Sequence, residues 1–130
     1  MEMVKYYFNM FLLGFALNCD AGNHHIPNEA AVIISKLNAA AQASDVESIH
    51  KWMTADFIWS FGGDASATQA ISAWKAKPAV LNELIKATQQ PCAQNDDKTV
   101  ECPINAGTGY RAGFKNTVAG WRMYYFVQGD

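Results

Sequence analysis

Apolar residues recur at helical spacing from Ala30 through Ile33, Ile34 and Leu37 to Ala41, which predicts an amphipathic helix from Glu29 to about Gln42 with Asn28 as its cap. Ser44-Asp45-Val46-Glu47 then reads as a capping box. Val46, Ile49 and Met53 continue the apolar spacing through a second short helix, leaving His50 and Lys51 on its other side. The pattern changes at Phe57-Ile58-Trp59-Ser60-Phe61, a run of aromatic and branched residues that ends in Gly62-Gly63 and predicts a strand closed by a turn. Ser66-Ala67-Thr68-Gln69 is a second capping box, opening a helix that carries Ile71 and Trp74 and stops before Pro78. Pro78 suits the first turn of a further helix, in which Leu81, Leu84, Ile85 and Thr88 share a face up to Pro91.

The rest alternates with the period of a strand. Tyr110, Ala112 and Phe114 alternate with Arg111, Gly113 and Lys115, and Trp121, Met123, Tyr125 and Val127 alternate with Arg122, Tyr124, Phe126 and Gln128. A turn around Asn116 to Gly120 predicts an antiparallel hairpin that sets Phe114 against Trp121 and Tyr110 against Tyr125. One face is then apolar; the other, with Arg111 near Tyr124 and Arg122 near Phe126, can be solvated. Upstream, Cys92 and Cys102 bracket a polar stretch whose Asn and Asp favour a turn, and Thr99-Val100-Glu101 returns as a strand. That hairpin sets the two sulfurs opposite each other and predicts a disulfide; a zinc site would need closer ligand pairing and a nearby His. Helices, one strand, two helices and then antiparallel strands imply an α+β fold, with N-terminal helices packed on a curved antiparallel β-sheet.

Tyr6 to Leu17 is an uncharged, mostly apolar run. It falls short of the roughly 20 residues that span a bilayer but suits the apolar region of a signal peptide. The expected organisation is a signal peptide over 1–21, a tether over 22–28 and a single domain over 29–130. Cys19 and Ala21 supply the small residues for cleavage after Ala21, which places the mature chain in the periplasm or outside the cell with no membrane span. Lipid anchoring through Cys19 is the alternative for an exported chain, and a buried N-terminal helix the alternative for a cytosolic one. A chain starting at Gly22 would place an amine, two backbone amides and the His24 imidazole where they can wrap copper(II) or nickel(II) in a square plane, with His25 beside them. A plain tether carrying coincidental histidines is the competing reading, and no other metal site is expected.

Composition narrows the function classes. Half of the 130 residues are hydrophobic and 12% aromatic, enough to bury a core and to set disorder aside. Ten basic residues against 12 acidic ones, with no basic block, leave nothing to neutralise a run of phosphates, so no nucleic-acid partner is expected. Losing Glu2, Lys5 and Asp20 with the leader would bring the net charge from −2 to −1. Gly107-Thr108-Gly109 lacks the third glycine and the helix of a dinucleotide loop, and Walker and Gly-x-Ser-x-Gly patterns are missing. No cofactor is expected.

The order of elements, the Trp59-Ser60-Phe61-Gly62-Gly63-Asp64 turn, the Ala70-Ile71 helix and the closing run from Gly120-Trp121-Arg122 to Gln128-Gly129-Asp130 resemble small exported members of the nuclear transport factor 2-like superfamily. The resemblance covers residues 29–130 and implies a helix-covered cone, here reduced by one strand. That superfamily hosts isomerases, dehydratases and hydrolases beside many non-catalytic binding domains. Its catalytic members use an Asp or His dyad inside the cone, which makes His50, Asp56 and Asp64 the catalytic candidates. Each also has a plainer role: His50 on an exposed helix face, Asp56 at a strand start, Asp64 in a turn. The candidate ligand-binding residues are Trp59, Tyr110, Arg111, Tyr124 and Arg122, against ordinary roles as core or solvated sheet residues. The leading reading is a non-enzymatic exported module that binds a small molecule or a protein partner through the cone mouth or sheet face. The alternative is a small hydrolase or isomerase using a carboxylate/His pair in the pocket. A homodimer through the sheet face is the self-association this pattern allows.

Overall fold

The apolar stripe from Ala30 to Ala41 is the inner face of helix α1, Asn28–Gln42, and all five of its predicted core residues are buried. The structure, a computed structural model, describes residues 25–63 and 65–129. The leader, Cys19, Gly22 to His24 and Asp64 lie outside the described residues. Asn28 is already helical rather than the cap; Pro27 holds that position, and its carbonyl accepts the Ala31 N–H at 3.0 Å. Proline fits because the capping residue needs its carbonyl but no N–H.

Helix α2, Val46–Lys51, is capped by Asp45 and not by Ser44: an Asp45 carboxylate oxygen accepts the Ser48 N–H at 3.2 Å. Ser44 instead carries the chain out of α1 at φ +55. Met53 belongs to no helix. It opens strand β1, Met53–Ile58, so the strand expected over 57–61 lies four residues earlier and Trp59 to Gly63 form the turn. Met53 and Phe57 are the buried pair of β1, and a separation of four suits either period. Pairing decides between them, because Met53 sits beside Met123 and the Trp52 carbonyl accepts the Met123 N–H at 2.8 Å.

Helices α3, Ala67–Ala76, and α4, Val80–Gln89, follow on the expected faces, though Ala79 caps α4 and Pro78 precedes it instead of forming its first turn. Ser66 caps α3 by accepting the Gln69 N–H at 3.2 Å, and Ile71, Trp74, Leu81, Leu84 and Thr88 are buried. The Thr88 hydroxyl donates to the Leu84 carbonyl at 2.7 Å and accepts from Asn38 at 2.9 Å, a polar tie between α4 and α1.

Strands β2, Ala93–Gln94, β3, Val100–Cys102, β4, Tyr110–Thr117, and β5, Gly120–Gln128, complete a sheet of order β1-β5-β4-β3-β2. The sheet is mixed, since β1 runs parallel to β5 while the other pairs are antiparallel. A long connection carrying helices makes that parallel pair accessible, where a tight hairpin would force the antiparallel one. At the mouth of the β2–β3 hairpin, Cys92 and Cys102 form the expected disulfide across a Cα–Cα distance of 4.4 Å.

The β4–β5 register differs from the one expected. Thr117 pairs with Gly120, so the turn is the two residues Val118-Ala119; Phe114 faces Met123, Asn116 faces Trp121 and Tyr110 faces Gln128. A bulge beside the Gly113/Phe114 step then advances β5 by one residue and exchanges the faces beyond it. Phe126 therefore turns into the core, while Tyr125 lies opposite Gly113 and Val127 opposite Arg111 on the outer face. On the turn side of the bulge, the two-residue turn sets Arg122 beside Lys115, and its side chain lies over the Trp52 ring, away from the position expected near Phe126.

Residues from all four helices join Phe57, Phe114, Met123 and Phe126 in one core cluster. Trp74 stands edge-on to Phe57 at 5.7 Å and to Phe126 at 6.0 Å, the favoured arrangement of aromatic quadrupoles. Val127 is buried but outside this cluster, as its place on the outer face requires. Among the described residues, no helix is long and apolar enough to cross a membrane.

Candidate functional site

Where β4 begins and β5 ends, the core opens into a cleft of about 250 Å³. Its walls are aromatic. Trp74 reaches it from α3 and Trp59 from the turn after β1, while Tyr110 stacks on Phe126 with ring centroids 5.0 Å apart and planes at 24°. Val80 closes one side at the start of α4, and Ser60 and Lys77 supply the polar atoms of the rim. The bulge in β5 makes this site, because without it Phe126 would point away from Trp74.

Trp59 Nε1 is buried and has no hydrogen-bond partner among the described residues. An unsatisfied buried donor costs about 1–3 kcal/mol, and an acceptor that reaches it recovers a hydrogen bond the free chain lacks. Among the described residues, no carboxylate or imidazole lines the cleft. Tyr110 also forms one wall of a neighbouring depression of about 210 Å³, whose polar rim includes Glu83, Lys86 and Gln90.

Two of the predicted ligand-binding residues, Trp59 and Tyr110, thus share one cleft. Of the catalytic candidates, His50 is half-buried on α2 and Asp56 is exposed on β1; neither lines the cleft. Among the described residues, no three His, Cys, Asp or Glu side chains stand close enough to hold a metal ion. Of the four tryptophans, Trp74 and Trp121 are buried, while Trp52 and Trp59 are half-buried.

Arg111, Tyr124 and Arg122 belong to the outer sheet face, where Arg111 donates to the Gly107 carbonyl and Arg122 to the Trp121 carbonyl at 2.7 Å. Arg122 and Lys36 lie over the Trp52 ring at 5.0 and 4.8 Å. Tyr125, expected in the core, donates its hydroxyl hydrogen to the Glu101 carboxylate. Burial first, and then that bond to Glu101, push the Tyr125 phenol well above its ordinary range. Burial also raises Tyr124, which carries Lys115 over its ring at 5.1 Å. Gly113 permits this arrangement, since a Cβ there would overlap the Tyr125 ring.

Trp74, Phe126 and Lys77 were missed as site residues. Trp74 follows a core spacing, Phe126 follows an alternation that the bulge reverses, and Lys77 has no periodic signal at all.

No family model and no curated protein matches the chain. Among solved structures it is similar to an NTF2-like protein with a cystatin-like fold from Novosphingobium aromaticivorans, at 18% identity over 78% of this chain and 79% of that one, with a TM-score of 0.44. It is also similar to an uncharacterized cystatin fold protein from the same organism, at 13% identity over 75% of this chain and 95% of that one, with a TM-score of 0.42. The α+β assignment rests on the chain's own strand order and helix packing.

Proposed function

We propose that this chain is an exported binding module whose aromatic cleft takes a small, largely apolar ligand. The observation that carries the reading is the cleft itself: four aromatic side chains converge on one opening, and the buried indole N–H of one of them, Trp59, has no partner among the described residues. Its volume of about 250 Å³ lies just under the roughly 300–1,000 Å³ of typical ligand pockets, which suits a compound of one or two rings. Of the catalytic candidates among the described residues, His50 and Asp56 do not line it, and its aromatic walls support recognition in preference to hydrolysis or isomerisation. The Cys92–Cys102 disulfide supports an oxidising compartment, and an exported form starting at Gly22 by intact mass is the expected result.

Ligand-observed NMR with one- and two-ring aromatic compounds tests the cleft. Binding should be lost in Val80→Trp, where the new indole fills the opening, with the circular dichroism spectrum unchanged. Equal binding by that variant refutes the site. A protein partner or second copy would use the outer face around Tyr124 and Tyr125; a monomer mass by light scattering at high concentration rejects the second copy.

A further inference from the structure

We infer that the cleft selects an aromatic carboxylate, with the Lys77 ammonium as its counter-charge; this deepens the binding reading above and rests on it. The walls settle the shape of the ligand. Trp59, Trp74, Tyr110 and Phe126 offer ring faces and edges to a planar body, and Val80 limits its width.

The sign of the charge comes from the rim. Lys75 is paired with Glu47 at 2.7 Å and Lys86 with Glu83 at 3.4 Å, but Lys77, between them in sequence and on the cleft, has no ion pair among the described residues. Among the described residues, no carboxylate lines the opening to take that role. The negative end of α3 and the positive end of α4 flank Lys77 with partial charges of opposite sign. Ser60 adds a hydroxyl donor to the same rim. A ligand with an aromatic body and a carboxylate at its outer edge satisfies both halves of the site, whereas a neutral analogue satisfies only the first.

Isothermal titration of the purified chain with 1-naphthoate and with 1-naphthalenemethanol tests this, because the two probes share the ring system and differ in charge. At low salt the carboxylate should bind about three- to fivefold more tightly, the upper part of the range of about 1.4- to fivefold expected of a solvent-accessible ion pair. The preference should disappear in Lys77→Gln, whose fold is safe because the Lys77 side chain is exposed, and should shrink at high salt. Equal affinity of both probes for the unaltered chain overturns the carboxylate assignment and leaves the aromatic cleft standing. Failure of both probes to bind overturns the cleft reading as well. A preference that survives in Lys77→Gln overturns the role of Lys77.

Discussion

Alanine in place of Gly113 is a small change with a structural consequence that can be worked out. In an open strand, glycine to alanine gains about 0.5–1 kcal/mol by reducing the freedom of the unfolded chain. Here the added Cβ overlaps the Tyr125 ring, which lies across Gly113 to reach Glu101. The obstructing atoms belong to a side chain, so the ring moves and the backbone stays. What is lost is the hydrogen bond to a carboxylate, about 1.5 kcal/mol at the lower end for a half-exposed group, together with roughly 0.5 kcal/mol of cross-strand packing. The loss exceeds the gain, and Gly113→Ala should destabilise by about 1 kcal/mol, or about 4–5 °C in melting temperature for a domain of this size. Tyr125→Phe alone should cost about 1.5 kcal/mol, while adding Gly113→Ala to it should be nearly neutral, because no hydrogen bond remains to break. Urea denaturation of the four proteins gives the coupling directly. A coupling below about 0.5 kcal/mol, the scatter expected of independent sites, refutes the claim that Gly113 is there to protect the Tyr125–Glu101 bond.

The same tyrosine makes a pH prediction. Its folded-state pKa is raised, so its contribution is fully present below the ordinary tyrosine value of about 10 and is lost as pH rises above it; melting temperatures should fall in that range, and less steeply in Tyr125→Phe. Replacing Cys92 and Cys102 together by alanine should cost about 2–3 kcal/mol by releasing a short loop in the unfolded chain, read as a lower urea midpoint, with free-thiol titration of the unaltered chain finding both sulfurs blocked. Leu84→Ala should cost about 2–5 kcal/mol, since Leu84 is fully buried on α4, the helix that packs on α1 and β4; a loss under about 1 kcal/mol would show that the core can collapse there. Ser66→Ala should cost about 1 kcal/mol through the α3 cap, and a thermal melt indistinguishable from the unaltered chain would remove Ser66 from that role.

Much of the helical layer was legible because it depends on local spacing. The stripe from Ala30 to Ala41 and the faces carrying Trp74 and Leu84 report a period of 3.6 whatever lies opposite them, and Ser66 states its cap within three residues. Cys92 and Cys102 were equally local, as the turn between them brings the two ends together. The errors fell where a distant partner decides. Met53 and Phe57 fit a helix or a strand until Met123 pairs with the first of them. Trp121 and Tyr125 alternate cleanly until the bulge beside Gly113 reverses the faces.

The candidate site divides in the same way. Trp59 and Tyr110 could be named as ligand-binding candidates from residue type, yet their meeting depends on a parallel β1–β5 pair that no local pattern announces. Sequence alone determined the α+β class, the helix faces and the disulfide, since each rests on residues a few positions apart. Tertiary structure decided the register, the inward turn of Phe126 and the cleft with Lys77 at its rim. A one-residue slip in a strand leaves composition unchanged and moves every side chain beyond it to the opposite face.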